Sequence, residues 1–331
     1  MVRSNHPSDK IVAEVSWLYY IKGLNQAEIA TRLKLSRPTV VTYLRLAKER
    51  QIIGVKIQGT HFRVNELADR LCARFGLKSA FVIPEESNEA ETAQQVCEAA
   101  AQFLPDFVKP GDTLGVSWGQ TVSFVSERVP WWPVDGLVVR QLIGSLANPI
   151  LPTCESCTTE IARRLSAHCV NLNAPAVCTT ADLTDRLRAE PIIAEQLNLL
   201  NNCNKAIFSL SPCTPDTHVV QFNLATEKDI SDYAAKGAVG IIIGRFIDRY
   251  GVSITGELDR RMIGADLDAL RKMEGLLVVS GLSKLDATHA ALTGGYASHV
   301  ALDALLADAL LHKNDAKSKE HGANKGGDTA M

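Results

Sequence analysis

Residues 9–57 read DKIVAEVSWLYYIKGLNQAEIATRLKLSRPTVVTYLRLAKERQIIGVKI, and their apolar residues return at helical spacing in three runs with a break between each. Ile11, Val12, Val15, Leu18 and Tyr19 mark one face of a first helix that ends at Gly23, where glycine accepts a left-handed C-cap. Asn25 caps a second helix: Glu28 stands three residues on, in a capping-box arrangement, and Ile29, Ala30 and Leu33 face inward. After a turn at Lys34 and Leu35, Ser36 caps a third helix whose Val40, Leu44 and Ala47 form the inner face. Arg37, Thr39, Thr42, Tyr43 and Arg45 are left outside. Two short helices, a tight turn and a polar-faced third helix make a helix-turn-helix.

The chemistry of that outer face matches double-stranded operator DNA. The N-terminal end of a recognition helix reaches base edges, where arginine pairs bidentately with guanine and a threonine methyl packs on thymine. Arg37, Pro38, Thr39 and Thr42 occupy that end. Gln26 and Ser36 lie at helix starts suited to phosphate, and Arg45 and Lys48 extend along the backbone side. Residues 1–63 hold eleven Lys or Arg against four Asp or Glu, net +7, whereas the rest of the chain is net −9. A basic end on an acidic body is the footprint of polyanion binding, although a solvated basic surface shares it.

At 331 residues the chain exceeds one ordinary core and accommodates a small domain and a larger one. Hydrophobic residues at 46%, charged residues at 22% and a mean hydropathy of +0.01 describe a globular protein with no membrane span. The opening MVRSNHPSDK lacks the apolar stretch of a signal peptide, which predicts a cytoplasmic protein with reduced cysteines. Of eight cysteines, only Cys154 and Cys157 have metal or redox spacing, and no second ligand pair accompanies them; neither metal nor cofactor is expected. The last twenty residues, 312–331, are polar and predicted to be disordered.

Beyond 81–83, apolar runs at 113–117, 138–143, 206–210, 239–243 and 276–280 alternate with helical patterns, which predicts parallel βαβ units. Ligands of such sheets bind beyond the carboxyl ends of the strands. The sharpest candidate is GDTLGVSWGQTVSFVSERV, residues 111–129. A strand runs into a turn at Gly119, and a helix starting near Gln120 and Thr121 aims free N–H groups outward, an anion site in embryo. An ordinary βα loop has the same outline.

The stretches LNQAEIATRLKLSRPTVVTYLRLAKERQII and ELADRLCARFGLKSAFVIP resemble the SorC family of sugar-responsive bacterial regulators, and the likeness runs to about Leu311. The resemblance implies a helix-turn-helix domain at 1–60 and a mostly parallel α/β effector domain at 61–311, of the fold shared by sugar-phosphate isomerases and CoA-transferase-like proteins. It implies a sugar, polyol or sugar phosphate as effector, control of a carbohydrate or polyol catabolic operon, and homo-oligomers, dimers or tetramers. Trp118, Gly119, Gln120 and Thr121 match the family's WGxT turn, in which the phosphate of the effector is held. RQLIGS, with Gln141 and Gly144, resembles the next strand and its glycine turn; GRFIDRYG keeps Asp248, VVSGLSK keeps Gly281 and Lys284, and HVALDALLADALL retains Asp303. For Lys284, Asp248 and Asp303, a solvated lysine and helix caps are the plainer readings. The chain departs from the family pattern at Gly240-Ile241, at Gly281-Leu282 and at Ser209-Leu210-Ser211, where relatives carry Gly-Asp, Gly-Gly and a Gly-Ile-Gly type turn. An unphosphorylated or unusual polyol therefore stays open as effector. The alternative is an isomerase-like enzyme, but no histidine or carboxylate dyad surrounds 119–121, and no catalytic residue is assigned.

Overall fold

Three helices form where the apolar spacing requires them: α1 (Asp9–Tyr20), α2 (Gln26–Leu33) and α3 (Arg37–Glu49). The computed structural model describes residues 7–50, 52–53, 59–146 and 153–313, the side chains of 59–63 excepted. It divides into two units, Met1–His61 and Phe62–Met331. The GVKI run at 54–57, which reads as a short strand, and the tail from 314 onward lie outside the described residues.

The breaks between the first helices are made by local chemistry. After α1, Gly23 at φ +68° lets the Leu24 N–H reach the Leu18 carbonyl at 3.1 Å. The Asn25 side chain accepts the Ala27 and Glu28 N–H groups at 3.0 Å each, and the Glu28 carboxylate accepts the Asn25 N–H at 2.7 Å. Lys34 adopts φ +52°, and Ser36 accepts the Thr39 N–H at 3.2 Å to start α3. Val15, Leu18, Ile29, Ala30, Val40 and Leu44 close a small core between the three helices.

The second unit holds most of α4 (Gly59–Phe75), then β1 (Ser79–Ile83), α5 (Glu89–Phe107), β2 (Thr113–Val116), α6 (Gln120–Arg128), β3 (Val138–Gln141), α7 (Cys154–Arg164) and β4 (His168–Val170). It continues with α8 (Ala181–Ala189), α9 (Pro191–Leu200), β5 (Lys205–Phe208), β6 (Leu210–Pro212), α10 (His218–Gln221), α11 (Glu227–Ala235), β7 (Ala238–Ile242), β8 (Arg245–Asp248) and β9 (Ser253–Ile254). The last elements are α12 (Glu257–Arg261), α13 (Leu267–Lys272), β10 (Glu274–Val278), a 3₁₀ turn (Leu282–Lys284), α14 (Leu285–Thr293), β11 (His299–Asp303) and α15 (Ala304–His312).

Seven strands form one parallel sheet in the order β1-β11-β10-β5-β2-β3-β4. One apolar cluster joins α5, α6 and α7 to the sheet, through residues such as Val96, Val122, Ile161 and Leu114. Another packs Leu71, Leu270, Ala290 and Leu306, from α4, α13, α14 and α15, around Phe208 and Leu277. From β2 the chain winds through β3 to β4 at one edge, then returns to β5 on the other side of β2 and winds the opposite way. The reversal lies between β2 and β5, and ligands of open α/β sheets bind at such a point.

Two strand expectations need correction. The run at 239–243 is not part of the parallel sheet: β7 pairs antiparallel with β6 and β8 in a second sheet, β6-β7-β8-β9. Only Ile243 and Gly244 separate β7 from β8, and two residues make a hairpin but not a parallel crossover. The run at 206–210 splits, because β5 ends at Phe208 and β6 starts at Leu210 in the other sheet. Ser209 sits at the seam.

Candidate functional site

The outer face of α3 is shaped by its own hydrogen bonds. Arg37 and Pro38 are exposed, and Pro38, Thr42 and Arg45 stand on one exposed stripe at i, i+4 and i+7. The Ser36 and Thr39 hydroxyls lie 2.6 Å apart, and Thr39 is half-buried. Thr42 donates to the Pro38 carbonyl at 3.0 Å, Arg45 pairs with Glu49 at 3.0 Å, and Arg37 Nε donates to Gln26 Oε1 at 3.5 Å. That last bond ties the start of α2 to the start of α3. Tyr43 is a correction to the expected outer face: it is half-buried and packs on the head core, because its position lies between the buried Val40 and Leu44 and the exposed stripe.

In the second unit, a cavity of about 170 Å³ opens where β2 and β5 end. Trp118, Gly119, Gln120 and Thr121 enter it from the β2–α6 turn, Ser209 and Ser211 from the seam after β5, and Lys284 from the 3₁₀ turn after β10. Gly119 has φ +105° and ψ 173°, a conformation open to glycine alone, and no side chain caps α6. The first N–H groups of α6 are therefore left for a ligand, with the helix dipole behind them. The Thr121 hydroxyl makes no hydrogen bond among the described residues. Trp118 is buried edge-on against Phe222, at 4.7 Å between ring centres, and forms a wall.

Lys284 is half-buried, and its ammonium makes neither hydrogen bond nor ion pair among the described residues. Burial holds it below the usual lysine range, with Cys97 and Asp303 pulling the other way. Ser209 Oγ is buried and unpartnered. Cys97 also lines the cavity, but burial pushes its thiol up to about 11, so it is neutral and a poor nucleophile near pH 7. An unpaired lysine, an uncapped helix start and the free Thr121 hydroxyl line one small cavity, groups of the kind that bind an oxyanion.

The other expected residues stand elsewhere. Asp303 caps α15 by accepting the Leu306 N–H at 2.8 Å, and it also accepts Ser280 Oγ at 2.9 Å and the Gly281 N–H at 2.7 Å. Asp303 thereby fixes Gly281, whose φ of +98° opens the turn that delivers Lys284. Gln141 is buried: its amide donates to the Ile143 carbonyl at 2.7 Å and accepts the Leu172 N–H at 3.1 Å. Gly144 packs on backbone, since a Cβ there would lie 2.5 Å from the Pro175 oxygen. Asp248 accepts the Tyr250 and Val252 N–H groups at 2.8 Å each and closes the β8–β9 turn. None of these residues lines the cavity. Ser209, Ser211, His218, Ile241 and Ile243 do, and sequence reasoning had not assigned them as ligand contacts. The signal for the two serines is the departure at Ser209-Leu210-Ser211 from the family's glycine turn, as Gly240-Ile241 is for Ile241.

Among the described residues, no group of three or more His, Cys, Asp or Glu converges on a metal-sized space. Cys154 and Cys157 are buried in α7, and burial pushes the Cys157 thiol up to about 12. No helix of the described residues is long and apolar enough to cross a membrane.

Residues 60–312 match the protein family described as "Putative sugar-binding domain". The chain is 31% identical over 312 residues to the Escherichia coli K12 protein named uncharacterized transcriptional regulator YjhU, covering 92% of this chain and 95% of that protein. It is 28% identical over 302 residues to the deoxyribonucleoside regulator of Bacillus subtilis, covering 90% and 96% respectively. The crystal structure of the full-length sorbitol operon regulator SorC from Klebsiella pneumoniae aligns with a TM-score of 0.71 at 22% identity, over 93% of this chain and 100% of that one, a likeness of fold.

Proposed function

The chain belongs to the SorC family of transcriptional regulators with a C-terminal sugar-binding domain, and from that premise we propose that it reads operator DNA with α3 and senses a sugar or polyol phosphate in the cavity between β2 and β5. The carrying observation is that the unpaired Lys284 and the uncapped start of α6 line the same cavity. A phosphate there accepts hydrogen bonds from the first N–H groups of α6, from Thr121 and from Lys284. The regulated genes are those of a carbohydrate or polyol catabolic operon. The effector shifts the population between arrangements of the DNA-binding units in a homo-oligomer, and so changes operator affinity. We place the protein in the cytoplasm and its α/β unit in the sugar-phosphate isomerase fold group.

The cavity is a sensor and not a catalytic site in this reading, because its lining carries a neutral thiol and an exposed histidine but no carboxylate to pair with them as acid and base. Recovery of unchanged effector after incubation is the expected result; turnover would favour an enzyme.

Two substitutions test the two halves separately. Arg37→Ala or Thr39→Ala should cost about 1–3 kcal/mol in specific operator binding and relax base preference, while effector binding stays normal. Operator affinity unchanged in both variants, measured by fluorescence anisotropy, would remove α3 as the reader. Thr121→Val keeps shape and deletes one hydroxyl, and should weaken a phosphorylated effector by about 1.5–3 kcal/mol with operator binding intact. Equal calorimetric affinity of wild type and variant for a phosphorylated sugar and for its unphosphorylated counterpart would reduce the turn to an ordinary βα loop.

A further inference from the structure

The exposed face of α3 carries one large apolar side chain. Val41 is 47% exposed and belongs to none of the apolar clusters, whereas its neighbours Val40 and Leu44 fill the head core. Arg37 and Arg45 stand one helical turn before and after it, both exposed, and the exposed Pro38 and Thr42 flank it.

The fold of the head does not call for valine at this position. Its side chain buries little, and on a solvent-facing turn a β-branched residue is a poorer helix former than alanine. The nearby hydroxyls are engaged within the helix: Thr42 donates to the Pro38 carbonyl at 3.0 Å, and the Ser36 and Thr39 hydroxyls lie 2.6 Å apart. What α3 presents between its two arginines is therefore a pair of methyl groups. Of the groups that base pairs show in the major groove, only the C5 methyl of thymine is apolar.

We infer that Val41 is a specificity-determining residue of α3, which packs its methyls on the C5 methyl of a thymine in the operator. The inference rests on the reading of α3 as the recognition helix. Arg37 precedes Val41 by about 6 Å along the helix axis and bases stack about 3.4 Å apart, so this thymine lies within about three base pairs of the position whose preference Arg37 sets.

The test uses the full chain and a duplex that it selects from a randomised DNA pool. Each thymine of the selected site is replaced in turn by deoxyuridine, which pairs identically and lacks only the methyl. At one thymine the replacement should weaken wild-type binding about fourfold per contact, the value of one buried methyl group. Val41→Ala and Val41→Ser should bind the thymine duplex more weakly than wild type does and no longer distinguish it from the deoxyuridine duplex. Their salt dependence should match that of wild type, since no phosphate contact is lost, and Val41→Ala should melt no lower. Wild-type discrimination retained in both variants overturns the assignment, and so does a selected site in which no thymine methyl matters. Arg37→Ala separates this from the reading beneath it. If Arg37→Ala relaxes base preference while the Val41 variants discriminate as wild type does, α3 stays the reader and Val41 alone is removed. Unchanged preference in all three variants, or a pool from which no sequence is enriched, overturns α3 as the reader and Val41 with it.

Discussion

The Lys284→Met variant is expected to bind operator DNA as wild type does and to lose its response to a phosphorylated effector, with affinity down by about 1.5–3 kcal/mol, or roughly 10- to 150-fold. It is also expected to melt at a higher temperature than wild type without ligand. Burial lowers the folded-state pKa of Lys284 below its unfolded value, so at neutral pH the unfolded chain binds that proton more tightly. Stability of the wild type should therefore rise as pH climbs through the lowered folded value towards the ordinary lysine range, and methionine removes the penalty outright. Effector affinity runs the other way. A bound phosphate favours the ammonium, so affinity should fall as pH rises through the lowered lysine value. It should also fall below about pH 6, where a phosphomonoester takes up its second proton. Calorimetry in two buffers of different ionisation enthalpy would register proton uptake at the alkaline end. Unchanged effector affinity in Lys284→Met would remove the lysine from the site, whatever its effect on melting.

Gly119→Ala should abolish effector binding and reduce stability by about 1–3 kcal/mol. At φ +105° and ψ 173° an alanine is strained whatever the space around it. An added Cβ finds no protein atom within 4 Å, so the loss expected on the phosphate reading is not a clash within the fold but one with a ligand bound close to the Gly119 backbone. Gly237→Ala is the matched control, since it has φ +93°, also has no neighbour within 4 Å, and does not line the cavity. It should lose comparable stability in thermal melts and retain effector binding. Equal retention of binding in both variants would show that nothing approaches the Gly119 backbone.

The helices of the head and the β2–α6 turn were legible in the sequence because the forces that make them are local. Asn25 and Glu28 cap each other across three residues, Ser36 caps α3 over the same span, and the apolar faces repeat every three or four residues. Gly119, Gln120 and Thr121 form a strand-turn-helix whose N–H groups point outward on backbone geometry alone. The order of strand and helix through β3 was likewise readable. Tyr43 was not, because a position at the margin of a helical face turns inward or outward according to what packs beside it.

What the chain order by itself determined is thus a polar-faced third helix and one uncapped helix start behind a glycine turn. Tertiary structure decided the rest of the cavity. Whether the run at 239–243 joined the parallel sheet depended on the two-residue hairpin that follows it, and its departure to a second sheet brought Ile241 and Ile243 to the cavity that Thr121 also lines. Whether Asp303 contacted a ligand or capped α15 depended on Ser280 and Gly281, brought to it by the neighbouring strand β10. Lys284 and Ser209 are polar residues like many others until folding buries them without partners. Being unpartnered is a sum over every neighbour that the fold supplies, and most of those neighbours come from distant segments of the chain.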